Sequence, residues 1–104
     1  MPKSSKNDRL TQNRVLSPEQ SRAARGWLGW SQAELAIQAT VSLRTIASFE
    51  RGEKMPMPNN LAAIRRVIVQ AGVRLLFDDQ GEAAGIARGD TEGEIVRSPR
   101  RSRQ

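Results

Sequence analysis

Three serines constrain most of what this chain can fold into. Ser17-Pro18-Glu19-Gln20 is a helix opening: a serine N-cap, a proline at the first helical position where its missing N–H costs nothing, and a glutamine three residues past the cap to close a capping box. Ser31-Gln32-Ala33-Glu34 repeats the device. Ser42 offers a third cap after the short connection Ala39-Thr40-Val41. A chain restarted at such close intervals forms short helices, none of which is stable without packing against the others.

The stop signals agree with the starts. Gly29 ends a first helix at about Leu28, a second covers about 32–38, and a third runs to about Glu50 or Arg51 before Gly52. Trp30 stands where it can staple onto Leu35, and Val41 where it can staple onto Ile46. Residues 53–59, with Pro56 and Pro58, read as a loop. Leu61, Ile64, Ile68 and Ala71 then share one face of a fourth helix, with Val67 beside them and Gly72 as the stop. Val73-Arg74-Leu75-Leu76-Phe77 switches to a β-rich run, Asp78-Asp79-Gln80-Gly81 reads as a turn, and 84–88 returns as a weaker second strand. Four segments are expected: a disordered basic arm over 1–16, a helical domain over 17–72, a short β extension over 73–88 and a disordered tail over 89–104.

Composition narrows the chemistry. There is no Cys, His or Tyr among the 104 residues, which removes the ordinary zinc, haem and iron-sulfur ligand sets and every thiol or imidazole catalyst. The acidic residues scatter over helix ends and the tail and do not gather in a cleft, so no enzyme is expected, and neither a cofactor nor a metal. Net charge is +6, with +3 over residues 1–16, +3 over 17–72, −4 over 73–94 and +4 over 95–104. A basic balance of this kind prompts a search for a nucleic-acid footprint. No apolar run approaches the ~18 residues of a membrane span, and the polar start lacks a secretory pattern, so the expected location is the cytoplasm without membrane contact.

The second and third helices, joined by a three- or four-residue turn, have the form of a helix-turn-helix, whose second helix enters the major groove of DNA. Leu35, Ala36, Ala39, Val41, Ile46 and Phe49 can converge on one core, leaving Leu43, Arg44, Ala47 and Ser48 outside. The competing reading makes these the solvated face of a small helical bundle. Trp27 and Trp30 suggest base stacking by type, yet their positions on the first helix and its exit favour packing.

The run Arg25-Gly26-Trp27-Leu28-Gly29-Trp30-Ser31-Gln32-Ala33-Glu34-Leu35-Ala36, followed by Val41-Ser42, Thr45-Ile46, Phe49-Glu50-Arg51-Gly52 and Pro56, resembles the Xre family, relatives of lambda-type phage repressors and Cro. The resemblance spans roughly 17–72. It implies an all-α, lambda-repressor-like bundle of four to five helices, here with a short C-terminal β extension, and a sequence-specific regulator of transcription that binds double-stranded DNA. A repressor acting as a homodimer on an inverted-repeat operator is the expected form. The alternative is an Xre-like antitoxin or anti-activator whose main role is to bind a partner protein, a toxin or another regulator.

Carried over by position, the family pattern gives Gln32 a phosphate contact, against a plain first-turn role, and puts Leu43, Arg44 and Ser48 on base-reading positions. Arg44 suits bidentate pairing with guanine, while Leu43 and Ala47 suit thymine methyls or, for Leu43, a plain surface or partner-facing role. Ser42 and Thr45 complete the DNA-binding set on the same helix, and Arg51 and Lys54 just past it suit phosphates or are ordinary surface charge. Arg25 and Glu50 occupy positions that pair across the first and third helices in phage repressors. Thr40 stands where the family prefers Gly, in a turn tending toward positive φ that a β-branched residue resists. Val73, Leu75 and Phe77 share one face of the short strand and suggest dimerisation through it, with the fourth helix as the other option.

Overall fold

In the computed structural model, which describes residues 14–89, all three serine caps form. Helix α1 spans Pro18–Leu28: the Gln20 N–H donates to Ser17 Oγ (3.0 Å) and the Ser17 N–H to Gln20 Oε1 (3.1 Å). Helix α2 spans Gln32–Ala39 with the matching pair between Ser31 and Glu34, at 3.0 and 2.7 Å. Helix α3 spans Leu43–Glu50, where Ser42 Oγ accepts the Thr45 N–H at 3.0 Å. Helix α4 spans Pro58–Gln70 and starts earlier than the sequence spacing indicates. The two prolines read as loop, but Pro58 sits in the first helical turn, where its fixed φ favours the helix and no N–H is needed.

Strands β1 (Val73–Phe77) and β2 (Ala83–Arg88) pair as an antiparallel hairpin, Val73 opposite Arg88 and Leu76 opposite Gly85, with a register shift between Leu76 and Phe77. Ala84 is the extra residue, left without a partner on β1 as in a β-bulge. Gln20 locks the hairpin to α1. Its side-chain Nε2 donates to the carbonyls of Leu76 (2.9 Å) and Gly85 (3.0 Å) while its Oε1 serves the cap, so one buried amide satisfies a helix end and both strands.

Leu35, Ala36, Ala39, Ile46 and Phe49 are buried in one core with Ala24, Ile64, Ile68 and Val73, and Val41 packs at its margin. Leu16, within the segment expected as an arm, is 1% exposed and belongs to this core. The rest of that arm up to residue 13, and the tail beyond residue 89, lie outside the described residues.

Two expectations are corrected. The face of Val73 and Phe77, offered as a dimer surface, is buried against the chain's own helices, with Leu75 half-buried beside it. Phe77 also lies under the Arg65 guanidinium, 5.5 Å from the ring centroid. Strand alternation was right about the shared face, but the Gln20 anchor turns it inward. Trp27 was expected to pack and is 57% exposed: the inward stripe of α1 runs through Gln20, Ser21, Ala24 and Leu28 and leaves Trp27 at its edge. Trp30 does pack against the core.

Candidate nucleic-acid interface

Helices α2 and α3 meet across a turn that the sequence resists. Thr40 adopts φ 58° and ψ 46°, the left-handed region, as the expected turn geometry requires. Its conformation is held by backbone bonds from the Thr40 N–H to the Ile37 carbonyl (3.2 Å) and from the Val41 N–H to the Ala36 carbonyl (3.0 Å), which satisfy the end of α2. The chain leaves this turn directly into the Ser42 cap, so the start of α3 is fixed by two adjacent local motifs.

The far end of α3 is fixed by Glu50. Its carboxylate, 1% exposed, accepts from Arg25 Nη2 (2.8 Å) and Nε (3.1 Å to each oxygen), from the Ser21 hydroxyl (2.5 Å) and from Gln32 Nε2 (3.1 Å). Arg22 Nη1 donates to the Glu50 carbonyl, and Arg25 Nη1 to that of Trp30 (3.2 Å). One side chain thus ties the last residue of α3 to α1 and to the first turn of α2. Burial raises the Glu50 pKa, but the hydrogen bonds from Arg25, Ser21 and Gln32, together with the Arg25 charge, outweigh it and hold the carboxyl below its ordinary range. The Arg25 partnership was legible from the family positions; Ser21, Gln32 and Arg22 were not, because no residue-type or spacing signal marks them.

The expected site residues separate into two groups. Leu43 and Arg44 are exposed on the first turn of α3, Ala47 and Ser48 are half-buried on the same helix, and Arg44 and Lys54 form no salt bridge among the described residues. Arg44, Thr45 and Ser48 share a cleft of about 220 Å³ with Lys54 and the α3–α4 loop. The others carry internal bonds. Gln32, at the start of α2, turns its amide to Glu50; Ser42 and Thr45 place their hydroxyls 2.9 Å apart; and Arg51 forks onto Glu53 at 2.8 and 2.9 Å, which raises the arginine pKa and lowers that of Glu53. At the turn itself, Ile37 (76% exposed) and Leu43 (50%) line a shallow groove with Ala33, Thr40 and Val41.

Among the described residues no group of three or more His, Cys, Asp or Glu could hold a metal ion, and no helix is long and apolar enough to cross a membrane. Residues 22–68, from within α1 to the last turns of α4, match a family model described as helix-turn-helix. No curated protein matches the chain.

Proposed function

Residues 22–68 are a helix-turn-helix domain of the Xre and lambda-repressor type, and from that premise we propose that the protein is a transcriptional regulator that reads double-stranded DNA with α3. The observation that carries this reading is the presentation of Arg44. Its guanidinium stands on the first turn of a helix whose two ends are fixed by the Ser42 cap and by Glu50, and among the described residues it forms no salt bridge that DNA would have to break. In the proposed complex Arg44 pairs with O6 and N7 of a guanine, and Leu43 and Ala47 meet thymine methyls. Ser48 and Thr45 line the same cleft and Lys54 reaches a phosphate. Gln32 and Ser42 contribute through the free N–H groups of the helix N-termini they occupy, since their side chains are engaged internally. Arg51 reaches a phosphate by exchanging Glu53 for it.

The fuller reading is a cytoplasmic repressor, without cofactor or catalytic activity, that binds an inverted repeat as a homodimer with recognition helices about 34 Å apart. With Val73 and Phe77 buried, the subunit contact falls to α4, where Val69 is 50% exposed, or to the outer face of the hairpin. Selection of bound sequences from a random DNA pool tests the reading. The wild type should enrich a motif, and Arg44→Ala should lose one guanine preference per half-site at a cost of about 1–3 kcal/mol.

The exposed apolar groove of Ile37 and Leu43 favours a second reading, a scaffold that binds a partner protein such as a toxin or regulator. Under that reading the wild type enriches no motif and Arg44→Ala binds DNA as the wild type does.

A further inference from the structure

The loop between α3 and α4 presents two large apolar side chains to solvent beside the base-reading face of α3. Met55 is 55% exposed and Met57 67%. Neither is there because the loop is loose. The Glu53 N–H donates to the Ser48 carbonyl (2.9 Å) and the Gly52 N–H to that of Phe49 (2.9 Å), with Gly52 at φ 75°. Pro56, between the two methionines, is buried, and the Met57 carbonyl accepts the Asn60 and Leu61 N–H groups, both at 2.9 Å, as the first bonds of α4. The methionines are therefore held in place by their backbone while their side chains remain largely unburied.

The cleft they border has Arg44, Thr45 and Ser48 on its helix wall and Lys54, Met55 and Met57 on its loop wall, with a volume of about 220 Å³. Among the described residues, two cations and no carboxylate line it. Such a lining, with two cations beside apolar side chains, complements a DNA strand edge, which offers phosphate and, at thymine, a methyl group in the major groove. Methionine suits the contact because its unbranched thioether fills irregular apolar gaps.

We propose that Met55 and Met57 form a second specificity element that reads thymine methyl groups next to the guanine read by Arg44. The proposal rests on the DNA-reading function above and adds the loop to the helix as a source of sequence preference.

The test starts from the motif selected by the wild type and replaces its thymines one at a time by uracil, which lacks only the methyl. Uracil at one or two positions per half-site should weaken wild-type binding roughly fourfold each, the worth of one buried methyl-sized group. The variant M55Q/M57Q, in which both changes fall on exposed side chains, should bind the thymine duplex more weakly and no longer distinguish uracil there. A second variant, M55L/M57L, keeps the apolar contact and should retain the uracil penalties that M55Q/M57Q loses, which separates lost discrimination from lost folding. Thymines met by Leu43 or Ala47 keep their uracil penalties in M55Q/M57Q; if every penalty seen with the wild type keeps its size in that variant, the inference is overturned and DNA reading is left intact. A wild type that enriches no motif overturns both.

Discussion

Replacing Glu50 by Ala should destabilise the domain far more than an ordinary substitution. Three kinds of donor converge on this carboxylate: the Arg25 guanidinium, the Ser21 hydroxyl and the Gln32 amide. Breaking a buried ion pair from one side typically costs about 3–5 kcal/mol. Arg25 keeps 20% of its side chain exposed and its bond to the Trp30 carbonyl, which pulls the cost toward the lower end. Ser21 is fully buried, and a buried hydroxyl left without its acceptor adds about 1 kcal/mol or more. The sum is about 4 kcal/mol, which in a domain of this size corresponds to a fall in Tm of roughly 15–30 °C.

Thermal unfolding followed by circular dichroism measures this directly, with urea titration as a check that the transition remains cooperative. Glu50→Gln, which keeps the shape and one acceptor oxygen, should fall between wild type and Glu50→Ala. A Tm loss below about 4 °C for Glu50→Ala would refute the reasoning, because it would mean the network contributes under ~1 kcal/mol. The same residue sets a pH dependence. A carboxyl whose folded pKa lies below its unfolded value adds stability that is fully present above the unfolded value and is lost as pH falls through the folded one. Wild type should therefore lose stability faster than Glu50→Gln on acidification below about pH 4, the ordinary glutamate range, and parallel acid-unfolding curves would contradict the assignment.

Two further outcomes follow from the turn and the loop. Thr40→Gly removes a β-branched residue from the left-handed region at the cost of a more flexible unfolded chain, for a net gain of about 0.5–1 kcal/mol; a lower Tm would show that Thr40 is not strained. Glu53→Ala should leave Tm nearly unchanged, because the pair with Arg51 is exposed, but free that arginine for a phosphate. DNA affinity should then rise, because Arg51 no longer gives up a carboxylate to reach its phosphate, whereas Arg51→Ala should flatten the dependence of log K on log salt by about 0.9. An Arg51→Ala slope equal to that of the wild type would mean that Arg51 touches no phosphate.

What could be read from the sequence was what is decided locally. The caps at Ser17, Ser31 and Ser42 depend on side chains reaching their own backbone three residues away, so spacing suffices to find them, whereas the positive φ at Thr40 was legible only through the resemblance, which puts Gly at that position. Burial at a stripe edge or just outside a helix was not legible: Trp27 on α1 is exposed and Leu16 before its cap is buried, because each depends on where a distant element lies. The inward turn of the hairpin face is hidden from the sequence for the same reason. Its orientation is set by Gln20, whose capping role in the sequence conceals a second one, since nothing about a capping-box glutamine indicates that its amide nitrogen will serve two strands more than fifty residues later. At the candidate site, the exposure of Leu43 and Arg44 followed from helical periodicity. The internal bonds of Gln32 and Arg51 did not, because they depend on partners that only the fold brings near or on a rotamer choice.

Those internal bonds change how the interface should work. At eight residues α3 is too short to hold its shape in water alone, so its readiness to enter a groove must come from its ends. At one end the Ser42 cap and the Thr40 turn fix its entry; at the other Glu50 fastens it to α1 and, through Gln32, to the same α2 turn that faces the phosphates in the proposed complex. Arg44 and Leu43 hang between these two points on a helix that is already ordered. Binding then spends little on ordering backbone, and the conformational cost is confined to the side chains themselves. Specificity can be carried in such a design by a few exposed residues, because an error in the pose of α3 would require breaking either a cap or a buried carboxylate network.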